Sequence, residues 1–118
     1  MVTQQGDLFW LDFGKPSGSG PAHVRPCLVI QNNLFNQSKI NTVVVCAITS
    51  NLDRAKAPGN VLLMKEEANL PKKSVINVSQ IYTVDKSDLK EKIGSLTQKR
   101  LAEVLSGIHL LIDPKEID

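Results

Sequence analysis

Aromatic side chains are scarce in this chain: three Phe, one Tyr and one Trp among 118 residues. Once a core has taken its share, too few remain to pave the aromatic groove of a peptide-binding module. Cysteine and histidine are scarcer. Cys27 and Cys46 sit inside apolar runs with no CxxC spacing, and only His23 and His109 could join them as soft ligands. Both thiols are therefore expected to be buried, and no metal site, disulfide or cofactor is expected. No window approaches the roughly 20 apolar residues that cross a bilayer, and the opening "MVTQQGDLFW" lacks a basic stretch followed by an apolar one. The expectation is a soluble, cytoplasmic protein that does not engage a membrane.

A large excess of one charge is missing too. Fourteen basic and twelve acidic side chains leave a net charge of +2, too little to argue for a polyanionic partner by itself. The distribution is uneven, however: residues 13–65 carry Lys15, Arg25, Lys39, Arg54, Lys56 and Lys65 against Asp53 alone. An anionic ligand would find that half, although solvated loop lysines give the same asymmetry.

What is present suits one modest core. With 42% hydrophobic residues, residues 1–118 read as a single domain burying roughly 65% of the surface its unfolded chain exposes. "DLFWLDF" (7–13) reads as a strand covered on both faces, and the Gly/Ser/Pro-rich 14–23 as a loop. A second strand is expected from Pro26 or Cys27 to Ile30, followed by the Asn-rich connection "NNLFNQSK". The β-branched run 40–49 reads as the central strand. "VLLM" and "SVINVSQIYTV" follow, the latter with polar residues on both faces, as in a strand bordering a cleft or an interface. Asp85 and Asp88 can cap a short turn through "KSDLKEK". Thr97 can cap a helix to about Leu111, with Leu101, Val104, Leu105 and Ile108 on one face and Gly107 weakening it. Five or six short strands and one helix make a mainly β fold, a small barrel or strongly curved sheet with a C-terminal helix packed on it.

Arg25, one of three arginines, stands just before the second strand. Held on fixed backbone, its guanidinium either binds a phosphate through its planar fork of donors or pairs with Asp7, Asp12 or a carbonyl at the barrel end. Thr49 and Ser50 close the central strand, either as turn-capping hydroxyls or as phosphate ligands. His23 is the one neutral-pH proton carrier near Arg25 in sequence. A hydrolytic site of this composition would rely on a nucleophile brought by the substrate, which RNA supplies in its 2'-hydroxyl.

Four stretches carry a resemblance: "GDLFWLDF", "RPCLVIQNNLFN" after the Gly-rich loop, "VVVCAITSN", and "VINVSQIYTVDKSDLKEKIGSL" ahead of the terminal helix. In this order and spacing they resemble the MazF/PemK (Kid-like) toxin endoribonucleases of type II toxin-antitoxin systems over nearly the whole chain. The resemblance implies an SH3-like barrel, a homodimer, and metal-independent, sequence-specific cleavage of single-stranded RNA such as mRNA. It also implies neutralisation by a cognate, MazE-like antitoxin whose tail lies across the toxin. Carried onto this chain, it makes Arg25 the catalytic arginine and Thr49 the hydroxyl that binds the phosphate or orients the 2'-oxygen, with Ser50 beside it. The chain departs from the family pattern at "GSGPAHV", which raises His23 as a substitute base, and at Ser79-Gln80, where many members have Asp-Gln. Gln80 is accordingly a candidate RNA contact. The cations Lys15, Arg54 and Lys56 and the amides Asn32, Asn33 and Asn36 complete the expected RNA-binding set, with Leu34 and Phe35 able either to meet bases or to close the barrel.

Two other classes compete. A topoisomerase-poisoning toxin of the same fold would carry an apolar, tryptophan-bearing C-terminus, whereas this chain ends "LIDPKEID" and has its tryptophan at position 10. A noncatalytic SH3-like module would need more aromatics than the chain has.

Overall fold

Period-two runs of Val, Ile and Leu form strands because branched side chains pack well on a pleated surface. The computed structural model, which describes residues 3–14 and 24–114, sets six of them in one curled antiparallel sheet. They are β1 (Asp7–Asp12), β2 (Val24–Val29), β3 (Thr42–Thr49), β4 (Val61–Leu63), β5 (Ser74–Asp85) and β6 (Leu89–Ser95), in spatial order β4-β5-β3-β2-β1-β6. A one-turn helix, α1 (Asn33–Asn36), links β2 to β3, and α2 (Gln98–Ile112) ends the fold. The expected mainly β fold of strongly curved antiparallel strands with a terminal helix is thus observed, as a curled half-barrel. Among the described residues no helix is long and apolar enough to cross a membrane.

Both faces of the sheet are buried. Leu8 of β1, Leu28 of β2, and Cys46 and Ile48 of β3 pack with Val61, Leu70 and Val104 of α2. The alternate residues Phe9, Leu11, Cys27, Val29, Val43 and Val45 form a second cluster with Leu89, Phe13 and Val84. The cysteines belong to opposite clusters, and burial pushes each thiol up to about 12, so both are inert packing groups.

Several boundaries differ from expectation. β2 begins at Val24, so Arg25 lies within the strand and not ahead of it, because its pairing with β1 runs through Leu11↔Arg25 and Asp12↔Val24. β3 begins at Thr42, not at residue 40. Of "KSDLKEK" only Lys86–Asp88 turns, with Asp88 Oδ2 accepting from Asp85 N at 3.3 Å. From Leu89 the chain pairs with β1 through Leu11↔Leu89 and Phe9↔Lys92.

β5 carries the largest irregularity. Ala47 pairs with Asn77, but its neighbour Cys46 pairs with Ile81, so residues 78–80 are inserted opposite a single step of β3. An odd insertion reverses which parity faces which side. Ile76 and Val78 accordingly join the cluster under α2, while Val84 joins the other. Asn60 Oδ1 accepts from Val78 N at 2.9 Å and Asn77 Oδ1 accepts from Ser79 Oγ at 3.0 Å, satisfying polar groups where the ladder breaks.

Edge strands β4 and β6 are bridged by the chain around Glu67–Asn69. Glu66, Ala68 and Asn69 there hold φ of 73°, 53° and 62°, a left-handed conformation costing roughly 1–2 kcal/mol per residue. Asn69 Nδ2 donates to Ile93 O of β6 at 3.1 Å, and Glu67 accepts from Met64 N at 3.0 Å. Arg100 of α2 donates to Glu67 from Nε at 2.6 Å and from Nη2 at 3.2 Å, and to Glu103 from Nη1 at 3.0 Å. Thr97 Oγ1 caps α2, accepting from Arg100 N at 3.2 Å. Gly107, which weakens helix propensity, is required by packing: a Cβ built there would overlap the carbonyl of Gly59.

Two outcomes follow for stability. Replacing Gly107 by alanine gains about 1 kcal/mol of helix propensity, but the overlap with backbone costs roughly 1–3 kcal/mol. Urea denaturation should therefore show G107A unfolding at lower concentration than the wild type, and a raised midpoint would contradict the packing account. Glu67 gives the second. Burial pushes its carboxyl up, but hydrogen bonds from Arg100 and Met64 N and the Arg100 charge outweigh that and hold it below the ordinary 4.5. Its stabilisation is complete above the unfolded value and fades as pH falls through the lower folded one. Glu67→Gln should lose stability at pH 7 and show a flatter decline below about pH 4.5 than the wild type in thermal melts.

Candidate active site

The β2–β3 ladder runs Val29↔Val45, Leu28↔Cys46, Cys27↔Ala47 and stops. The next residue of β2 is Pro26, which has no N–H to give. Extending the same register would set Arg25 opposite Thr49 on one face of the sheet, but here the two strands part. β1 keeps hold of β2 through Trp10↔Pro26 and Leu11↔Arg25, so the arginine backbone stays fixed beside the gap.

A cleft of about 470 Å³ opens at this point. Trp10, Arg25 and Pro26 line one side, and Thr49, Ser50 and Asn51 the other. Ile48 and Leu70, each 1% exposed, give it an apolar floor, and Lys72 and Ser74 close its end. Among the described residues the lining holds two cations and no Asp, Glu, His or Cys. A cavity with this lining favours an anion.

The hydroxyls are partly committed. Thr49 Oγ1 accepts from Asn51 N at 3.1 Å, and Asn51 Oδ1 from Asp53 N at 3.1 Å, which starts the 3-10 turn Leu52–Lys56. The Thr49 hydroxyl proton is left to donate into the cleft. Ser74 Oγ donates to Lys72 O at 2.8 Å, fixing the turn that carries the lysine. Asp7, a candidate partner for Arg25, is instead engaged by Ser95 Oγ at 2.8 Å and Lys92 Nζ at 3.4 Å.

The structure therefore brings together Arg25, Thr49 and Ser50 and adds Lys72 and Trp10, which sequence reasoning had not assigned to the site. The lysine was hidden in the turn "ANLPKK", and the tryptophan in a strand that reads as core throughout. Other expected contacts lie elsewhere. Asn36 is buried, its Nδ2 donating to Gln31 O at 2.8 Å and to Asn33 Oδ1 at 3.0 Å, and its Oδ1 accepting from Gln31 Nε2 at 2.9 Å. Asn33 Oδ1 also accepts from Gln5 N at 2.8 Å, and Asn32 Oδ1 caps α1 through Leu34 N at 2.8 Å. These asparagines shape the far end of β2 and none lines the cleft. Leu34 and Phe35 are exposed there and close no barrel. Arg54 and Lys56 are exposed on the turn after Asn51, and Gln80 is exposed on the β5 insertion; none lines the cleft. Lys15 and His23 lie outside the described residues.

Residues 4–112 match the profile of the PemK-like, MazF-like toxins of type II toxin-antitoxin systems. The chain is 42% identical over 113 residues to the endoribonuclease MazF6 of Mycobacterium tuberculosis, covering 96% of this chain and 99% of that one. It is 38% identical over 109 residues to the endoribonuclease MazF of Staphylococcus saprophyticus, covering 92% and 90%. Its fold is similar to that of a mycobacterial endoribonuclease solved in complex with its cognate antitoxin, with a TM-score of 0.78 at 19% identity over 98% of this chain and 99% of that one. The toxin fold, the cleft and the full-length sequence match agree, and the chain belongs to the PemK-like, MazF-like toxin family.

Proposed function

We propose that this cleft cuts single-stranded RNA by attack of a 2'-oxygen on the adjacent phosphorus. The observation that carries the reading is that Arg25 and Thr49 line one cleft just beyond the end of the β2–β3 ladder, with a second cation and no carboxylate on its described lining. Such a site can hold a phosphodiester but supplies no strong nucleophile of its own, which suits a substrate that carries one. The new bond is O2'–P and the broken one P–O5', giving a 2',3'-cyclic phosphate and a 5'-hydroxyl. Arg25 stabilises the charge added to the non-bridging oxygens, and Thr49 donates its uncommitted proton to one of them. The proton leaving the 2'-hydroxyl and the one reaching the 5'-oxygen need carriers, a role for Arg25 itself and for His23, two residues before it. Two other expectations from the family belong to the same reading. One is inhibition by a MazE-like antitoxin, since a similar endoribonuclease was solved with its cognate antitoxin. The other is a homodimer, supported by the exposed apolar Ile81, Tyr82, Leu110, Leu111 and Ile112.

Incubation with mixed-sequence RNA in excess EDTA should give defined cuts ending in 5'-hydroxyls, and the all-deoxy counterpart should survive. Strict Mg²⁺ dependence with 5'-phosphate ends would overturn the mechanism. Arg25→Ala should lower kcat by about 10²-fold or more with the thermal melt unchanged, as expected for one lost electrostatic donor, and Thr49→Ala should cost less because Ser50 stands beside it. Light scattering at micromolar concentration should give twice the chain's 13.0 kDa. A monomer mass in a preparation that still cuts RNA would refute the dimer.

A further inference from the structure

Trp10 is not used by the chemistry above, and its surroundings are unusual. Its strand neighbours Phe9 and Leu11 are 0% and 1% exposed, and Leu8, on the same face as Trp10, is 0% exposed. Trp10 is only half-buried, because the core beneath it gives way to the cleft. Among the described residues its indole N–H has no hydrogen-bond acceptor and its ring meets no other ring, the one close aromatic pair being Phe13 with Tyr82. A tryptophan serving only as core would bury its faces and find a partner for its N–H. This one presents apolar area to a polar, cationic cleft. It pairs in register with Pro26, the residue after Arg25, on a strand on the order of 5 Å from β2. The register thus puts Trp10 and Arg25 on alternate positions of the paired strands, and both line the same cleft where the β2–β3 ladder stops.

We infer that Trp10 is a stacking platform for the nucleobase flanking the phosphate that Arg25 binds. This rests on the RNA-cutting reading above. A base on an aromatic face must have left any helical stack, so the platform selects single-stranded substrate and fixes the sugar-phosphate unit ahead of the attack. Arg25 and Lys72 hold the backbone while Trp10 holds the base. Asn51, whose Oδ1 is taken by Asp53 N, retains its NH₂ as a donor for the edge of that base. Phosphate capture and base selection are thereby given to different side chains of one cleft.

Trp10 is the one tryptophan in the chain, so intrinsic fluorescence reports on it alone. Cut sites are first mapped on a mixed-sequence RNA. The wild-type protein is then titrated with a heptamer containing the mapped site, made uncleavable by a 2'-deoxy unit at the cut nucleotide. A second series carries an abasic unit at each nucleotide in turn. Saturable quenching is expected with the intact heptamer. It should vanish, with affinity falling about 5- to 150-fold as for loss of one stacked base, when the abasic unit occupies one of the two nucleotides flanking the cut. In cleavage, Trp10→Phe should keep most of the wild-type KM while Trp10→Leu, which keeps the apolar bulk but not the π face, raises it. Unchanged fluorescence with a heptamer that binds by anisotropy would overturn the platform and leave the nuclease standing. So would equal KM values for the Phe and Leu variants. No cleavage of any RNA by folded wild-type protein would overturn both readings.

Discussion

Burying both faces of one thin sheet is the constraint on which this molecule depends, and the three-residue insertion in β5 meets it. Without the change of parity between Asn77 and Ile81, the two halves of a twelve-residue strand would send their apolar side chains to the same side. The insertion instead lets Ile76 and Val78 serve the core under α2 and Val84 the opposite one. It also bends the strand, and a bent β5 paired along the whole of β3 curls the sheet. Asn60, reaching over from the turn before β4 to Val78 N, replaces the ladder bond lost there.

The cleft arises from a second interruption of the same sheet. Pro26 and the end of the β2–β3 ladder leave the backbone of Arg25 paired to β1 but not to β3, so the residue stands at an opening in the sheet. The opposite end of the cleft depends on the left-handed stretch Glu66–Asn69, which leads directly into Leu70, Pro71 and Lys72. Strain there is held by the Arg100–Glu67 pair, itself only moderately exposed and bidentate, a geometry in which an ion pair contributes more than an isolated surface contact. A helix far along the chain thus sets the position of the second cation.

The rough number and positions of the strands were legible because β-branched runs leave little choice, and so was the capped helix from Thr97. The family resemblance picked out Arg25 and Thr49, but the cleft they share depends on where the β2–β3 ladder ends, which local sequence does not state. The polar residues that interrupt "SVINVSQ" read as a strand bordering a cleft or an interface, and they coincide with the insertion in β5. There Ser79 donates to Asn77 and Asn60 accepts from Val78 N, uses of polar groups that local sequence does not announce. β6 escaped notice because Lys90, Glu91 and Lys92 fill its exposed positions and leave only Leu89 and Ile93 as inward anchors. For the asparagines after β2 local sequence left two uses open, since an amide suits a base edge and a turn equally well; here Asn36 is buried and Asn32 caps α1.

The bridge between β4 and β6 has a consequence for how copies of the protein behave beside one another. A sheet of this topology ends in two rows of unpaired backbone groups, each a template for adding a foreign strand. Here one outer strand is three residues long, and the other has the Ala68 carbonyl pressed against Gly94 and an asparagine amide spent on the Ile93 carbonyl. The β6 margin therefore offers little free backbone, whereas β4 covers only Ser74–Ile76 and, among the described residues, Ile81–Asp85 of β5 pair with β3 alone, so strand addition is blunted at one margin and left possible along the other half of β5.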